Sequence, residues 1–442
     1  MRDLSLILFL FSLMLFGLKR PFLYVLAYAY IDIVSPQRLS YYLLNSIPIS
    51  LICFLFAWGG WLFFDDKKGT RFAPRQWLLV VLLLWIGFTT HNAVMYEQAQ
   101  AKWDWVWKAL VFATFLPLTL KTKLRIESLL LFMVLSAASI IIVGGLKTMA
   151  SGGGYGTLNL LVESNSGLYE GSTISMVAVA IIPLVLYLAK YGTIFPPDAR
   201  VHGFAYALCF ACLLIPIGTE TRTGLLCIGL LGILMLRATK RRVLYIALIG
   251  IGTMIAMPLM PQSYNNRLDK IQGYQSDSSA STRIAVWKWT LDYVADHPLG
   301  GGFEIYRTNR LTVALKDPNS SRNDTTITTQ KQEGRAFHSA YFEVLGEQGI
   351  PGFFLWGMFH LSGLVSMEMV RRRYIKSTNP DEAWIAPLAT ALQHGQLIYL
   401  LGASFIGVAF QPFIFMLLGT QIALASLCRR RYPARVAVKA FA

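Results

Sequence analysis

Apolar residues in this chain are grouped in long blocks, not in alternation. They occupy residues 4–18, 21–34, 44–64, 77–95, 105–120, 126–148, 172–189, 202–217, 223–236 and 243–259; a polar stretch follows over 261–335, and apolar sequence resumes over 340–370 and 383–427. A bilayer-crossing helix needs about 20 such residues, and it satisfies every backbone N–H and C=O within its own segment. A membrane barrel would show short alternating segments instead. The last block holds enough residues for two helices, with Gly402, Ser404 and Pro412 marking the break. The pattern predicts an all-α polytopic membrane protein of about twelve transmembrane helices, with one long external loop that contains short helices. The implied divisions are a helical scaffold over 1–260, the polar loop over 261–339, C-terminal helices over 340–427 and a basic tail over 428–442. The first block resembles a signal peptide but lacks a small-residue cleavage site, so it reads as a retained helix.

Charge orients this scaffold. Forty Lys and Arg against 24 Asp and Glu give a net charge of +16, which in a soluble chain would suggest nucleic acid. Here the excess sits in the short connections 65–75, 121–125, 237–242 and 371–376 and in the tail 429–435, whereas 96–104, 150–169 and 218–222 carry few basic residues. Basic connections stay in the cytoplasm, so the polar loop falls on the outer face of the membrane, the periplasm in a bacterial inner membrane. The remaining positive charge suits membrane lipids, and no nucleic-acid partner is expected. Hydrophobic residues make up 55% of the chain and charged residues 14%, too apolar a balance for a soluble domain. The five cysteines lie in or beside apolar blocks and imply neither a disulfide framework nor a metal; Cys209 and Cys212 read as packing residues. There is no internal repeat and no matched pair of interrupted helices of the kind many transporters carry.

Three polar clusters carry candidate chemistry, two at the edge of apolar blocks and one within the polar stretch. The first is the segment RAFHSAYFEVLGEQGIPG over 335–352, where His338 precedes a long apolar block and is followed by Ser339, Tyr341, Glu343 and Glu347. Imidazole exchanges a proton near neutral pH, which makes His338 a candidate general base. Taken alone, an interfacial histidine more often bonds a neighbouring carbonyl. In the second cluster, Arg222 enters an apolar block directly after Glu220-Thr221, and a guanidinium there either meets an anionic group or snorkels to headgroups. The third is a predicted helix over 281–295, capped by Ser281, on which Arg283, Trp287 and Thr290 share a face. Trp287 and Trp289 suit a helix lying at the membrane surface. The turn that follows, Pro298-Leu299-Gly300-Gly301-Gly302, can bring backbone N–H groups close to a phosphate, although a glycine turn by itself is weakly specific. His297, before a proline, reads as structural.

Arg222 in T-R-T-G, the R-x-x-x-W of Arg283 and Trp287 running into P-L-G-G-G, and H-S-x-Y-x-x-x-x-x-E-x-G-x-x-G from His338 to Gly352 together resemble the O-antigen ligase and polymerase superfamily. The resemblance covers roughly the second half of the chain and departs from the family at Ser339, where asparagine is usual. It implies a GT-C-like membrane glycosyltransferase of the bacterial inner membrane, with its active site facing the periplasm. The donor would be an undecaprenyl-pyrophosphate-linked glycan and the acceptor the lipid A-core of lipopolysaccharide; the alternatives in the superfamily are an O-antigen polymerase, which extends a lipid-linked repeat, and a protein O-oligosaccharyltransferase or related cell-surface glycan ligase, and the alternative outside it is a transporter of lipid-linked sugars. On this resemblance His338 is the base, Arg222 and Arg283 are the remaining catalytic residues, and Arg335, Gly300, Gly301 and Gly302 join the two arginines in holding the donor pyrophosphate. Tyr341, Ser339 and Trp287 serve the acceptor or support the site. Permanent guanidinium charge would take the place of a divalent ion, so no metal and no cofactor are expected.

Overall fold

The computed structural model describes residues 2–36, 47–151, 168–237, 278–316 and 327–431. The apolar block predicted over 243–259 and nearly all of the basic tail lie outside the described residues. Thirteen α-helices are found among the described residues: α1 (Arg2–Gly17), α2 (Phe22–Val34), α3 (Ile49–Gly59), α4 (Pro74–His91), α5 (Tyr96–Thr119), α6 (Lys123–Ser151), α7 (Gly171–Tyr191), α8 (Ala199–Gly218), α9 (Arg222–Leu236), α10 (Ser278–Asp296), α11 (Ala340–Tyr374), α12 (Ile385–Ala403) and α13 (Pro412–Arg431). Five of them, at Lys123–Ala150, Gly171–Tyr191, Ala199–Gly218, Ala340–Tyr374 and Pro412–Arg430, are long and apolar enough to cross a membrane. Four shorter apolar helices accompany them, at Leu4–Gly17, Phe22–Val34, Ile49–Phe64 and Arg222–Leu236. This is the architecture of a multi-pass helical membrane protein.

Burial sorts these helices. The apolar windows of α13 and α7 are 89% and 78% buried, against 33% for α8 and α11, so the first two are central and the others keep a face for lipid. α12 packs on both α7 and α11, and α13 on α5. The last apolar block breaks where its glycine, serine and proline indicated: α12 ends at Ala403 and α13 begins at Pro412. α4 also starts on a proline, and Gln76 closes its first turn by accepting from the Ala73 amide at 2.7 Å. One connection differs from its sequence reading. Residues 96–104 form the first turns of α5 and not a loop, because their polar residues extend the helix beyond the part that hydrocarbon would cover.

α10 and the segments that follow it form a small layer of their own. α10 buries Val286, Thr290 and Val294, and together with Ile305, Leu311, Val313 and Phe337 builds a second, minor core. An antiparallel hairpin, β1 (Arg310–Lys316) and β2 (Ile327–Glu333), pairs Arg310 with Glu333 and Lys316 with Ile327. The sequence reading held only helices and an irregular polar stretch here. β1 turns Leu311 and Val313 inward with the period of a strand, but β2, ITTQKQE, is nearly all polar and owes its strand conformation to pairing. Trp287 also corrects an expectation. Its ring stacks on Phe342 of α11 at 4.9 Å and 2°, so it faces protein and not the headgroup layer.

Candidate active site

His338 lies in the short segment between β2 and α11. Its φ is 48°, in the left-handed region that side chains other than glycine adopt at a cost. The chain on either side is tightly held. Asn309, fully buried, accepts from the Arg335 amide at 3.0 Å and donates to the Arg335 carbonyl at 2.7 Å. The Phe337 ring is buried, and its carbonyl accepts from the Trp287 indole N–H at 2.8 Å. After His338 the backbone enters α11 through Ser339, buried, whose carbonyl takes the Glu343 amide at 2.9 Å. His338 itself is exposed. Burial of its neighbours therefore aims one titratable ring into open space.

Three charged residues act on that ring. Desolvation, followed by the Arg283 guanidinium and then Arg335, holds the imidazole pKa below its ordinary 6.5, while Glu170 opposes them. A cation disfavours a second positive charge beside it, so the histidine is biased toward the neutral form that can accept a proton. Glu170 is the N-cap of α7 and accepts from the Ser172 and Thr173 amides at 3.1 and 2.7 Å. The start of α7 abuts the turn before α9, where Ser175 and Thr219 share a hydrogen bond of 2.7 Å and Glu220 has φ 51°. Arg222 opens α9 at that corner. The fold thus gathers Arg283, Arg335 and Glu170 around His338 and sets Arg222 beside the helix that carries Glu170.

The other residues singled out from sequence do different work. Tyr341 donates its hydroxyl to the Leu400 carbonyl at 3.0 Å and packs edge-on against Trp356, tying α11 to the end of α12. Gly300, Gly301 and Gly302 do not present amides to a phosphate, because all three N–H groups are already engaged. They donate to the carbonyls of His297, Gly346 and Glu347 at 2.9, 3.0 and 2.9 Å. The reason lies in α11, which is interrupted at Gly349, φ 66°. There the Ile350 amide turns away to Pro298 at 2.9 Å and Pro351 has no amide, which leaves the Gly346 and Glu347 carbonyls without helical partners. The glycine turn supplies those partners, and the closeness of Gly300 to Gly349 leaves no room for a Cβ at either.

Sequence reasoning missed a buried ionic cluster beside the histidine. Lys102 of α5 donates to Glu343 at 2.7 Å and to Glu347 at 2.8 and 2.9 Å. The Glu304 amide also donates to Glu347, at 3.0 Å, and the Ala409 amide to Glu343, at 3.1 Å. Phe303 and Phe410 cover the ammonium, with ring centres 5.0 and 5.8 Å away. Glu343 and Glu347, one helical turn apart just after His338, were the available signal; Lys102, more than two hundred residues earlier in a polar stretch, offered none. His338 and this cluster share a cavity of about 440 Å³.

Comparison with known families adds two findings. Residues 207–357 match the family model described as O-Antigen ligase, and residues 1–193 match a family of unknown function (DUF5935). No curated protein matches the sequence.

Proposed function

With residues 207–357 belonging to the O-antigen ligase superfamily, we propose that this membrane protein is an O-antigen ligase, a metal-independent glycosyltransferase of the bacterial inner membrane. It moves glycan from undecaprenyl pyrophosphate to the lipid A-core of lipopolysaccharide at the periplasmic face. The observation that carries the reading is an exposed imidazole that lines the cavity, with Arg283 and Arg335 near enough to lower its pKa. In the reaction an acceptor hydroxyl gives its proton to the unprotonated nitrogen of His338. Its oxygen bonds to the anomeric carbon, and the bond from that carbon to the pyrophosphate oxygen breaks, with the electron pair leaving on the lipid pyrophosphate. Arg283 and Arg335, next to the histidine, and Arg222, at the neighbouring corner, offset the developing negative charge. Trp287 and Ser339 keep the histidine in place and Tyr341 anchors its helix. A polymerase would use the same donor and the same groups and differ only in its acceptor.

The test is glycan transfer by the purified protein from a lipid-pyrophosphate donor, with lipid A-core and a lipid-linked repeat competing as acceptors. His338→Ala is expected to lower turnover about a hundredfold or more, the scale of a lost proton acceptor. Transfer at the native rate by the folded variant would remove His338 from this role. A loss of activity in chelator that magnesium or manganese restores would replace the arginine account with a metal-dependent one.

A further inference from the structure

We infer that the cavity between His338 and the Lys102–Glu343–Glu347 cluster binds the acceptor, and that it admits an uncharged saccharide end and turns phosphorylated groups away. The inference rests on the glycosyl-transfer reading above and deepens it. A general base must touch the hydroxyl it deprotonates, so the acceptor belongs in the space His338 lines. That space is about 440 Å³, within the roughly 300–1,000 Å³ of small-ligand sites.

Its charge argues against the donor pyrophosphate. The wall carries three carboxylates, Glu304, Glu343 and Glu347, against two cations, Lys102 and Arg307. Both cations are already committed: Lys102 to Glu343 and Glu347, and Arg307 to Glu304 at 2.8 Å. A phosphate entering here would meet three carboxyl groups and two cations that are already paired with them. Arg283 and Arg335, which act on the histidine, do not line the cavity. His338 thus lines the proposed hydroxyl-binding space and also has two arginines nearby, outside the cavity wall, for the leaving pyrophosphate.

The uncharged part of the wall has the chemistry of a sugar site. Trp105 and Tyr306 offer apolar ring surface to which the C–H face of a pyranose can pack, and Gln98 offers both a donor and an acceptor to hydroxyls. Burial and the Glu304 carboxylate push the Tyr306 phenol up to about 12, so it stays protonated, with its hydroxyl on Glu304 at 2.8 Å. The cavity floor is fixed by the ionic cluster before any ligand arrives, which lowers the cost of ordering a site around a flexible glycan.

Two substitutions from different elements fill the cavity. Gly407 has a backbone conformation that any residue adopts, and a Cβ there meets Glu343 Oε2 at an ordinary 3.4 Å, so Gly407→Leu adds bulk to the cavity wall beside Glu343. Ala101, exposed on α5, gives Ala101→Leu as the independent variant. In transfer assays with the full-length protein, each is expected to raise the acceptor KM at least about tenfold and leave the donor KM unchanged. An unchanged acceptor KM in both folded variants overturns the inference, as does a donor KM that rises with it. Direct binding of core oligosaccharide, freed of lipid and read from tryptophan fluorescence, is measured alongside and needs no turnover. Dephosphorylated oligosaccharide is expected to bind the wild type and to lose affinity in both filled variants. Equal or tighter binding of the phosphorylated form, or preference for a serine- and threonine-rich peptide, overturns the assignment. A wild-type protein that binds the neutral oligosaccharide in this cavity but transfers no glycan would keep the site and refute the transferase reading.

Discussion

At His338 the backbone is left-handed on a residue with a full side chain, a conformation that costs about 1–3 kcal/mol and persists only where the surroundings over-determine it. Those surroundings are the Asn309 clamp on Arg335, the indole bond to Phe337 and the buried start of α11. They give the imidazole a fixed position, and desolvation, followed by the Arg283 guanidinium, lowers its pKa. The active form of a base is the neutral one, so rate falls as pH drops through its pKa; because that pKa is depressed, the acid limb of kcat/KM should lie below pH 6.5. Arg283→Gln removes a positive neighbour, raises the pKa and should move the limb to higher pH. Glu170→Gln removes the opposing negative charge and should move it lower. Arg283→Lys keeps the charge and should leave the limb in place, while losing the planar fork and about 2–4 kcal/mol of transition-state stabilisation. Superimposable profiles in all four proteins would mean that the titration of His338 does not govern the rate. Of the candidate residues, His338 and Arg222 were singled out in the sequence as ionisable groups at the edge of an apolar block, and Arg283 as part of the helix that Ser281 caps within the polar stretch. Glu170 and Asn309 were not, since their roles come from capping and clamping contacts that no local pattern encodes.

At the scale of elements, α11 is two helices joined at a break, and both the glycine turn and the lysine of α5 serve that break. The sequence reading took P-L-G-G-G as a possible phosphate cradle because glycine amides are equally suited to an anion and to an orphaned carbonyl; only the place of Gly346 and Glu347 in three dimensions decides between them. The Lys102 cluster is the stronger joint. Glu347 is fully buried and Glu343 nearly so, and Lys102 is 12% exposed. Lys102→Met would leave two buried carboxylates facing one another, and breaking a buried pair on one side costs about 3–5 kcal/mol. Combining Lys102→Met with Glu343→Gln and Glu347→Gln removes the unbalanced charge and should recover much of that loss. The comparison is thermal unfolding in one detergent, where the single variant should melt well below the triple variant. Equal melting temperatures would show that the cluster does not hold α5 to α11. Helix positions, in contrast, were legible to within a turn or so for most blocks, because a long apolar run admits few other structures; β2 was hidden because its polar side chains carry no periodic signal.

For the whole molecule, the site crosses the boundary that the family matches would suggest. Residues 1–193 and 207–357 match separate families, yet the cavity takes Lys102 and Trp105 from the first, His338 and Glu347 from the second, and Gly407 and Phe410 from beyond both. The N-terminal half therefore lines the candidate site and is not only its scaffold, which motifs confined to the second half could not indicate. In the proposed reading the basic connections orient the assembly in the membrane, and that orientation decides which compartment supplies the acceptor. Lys376, exposed just beyond α11, lies in one such connection, and Lys331, exposed on β2, lies at the other end of the same helix. Because α11 is long and apolar enough to cross, these two positions must face opposite compartments if it spans. The natural cysteines give little background, since Cys53, Cys212, Cys227 and Cys428 are buried and Cys209 is half-buried within α8. Lys331→Cys should therefore react with a membrane-impermeant thiol reagent in intact spheroplasts, and Lys376→Cys should react only after the membrane is opened. The reverse pattern would put the cavity on the cytoplasmic side, where a donor and acceptor assembled in the outer leaflet of that membrane could not reach it. Labelling at both positions in intact cells would mean that α11 does not cross.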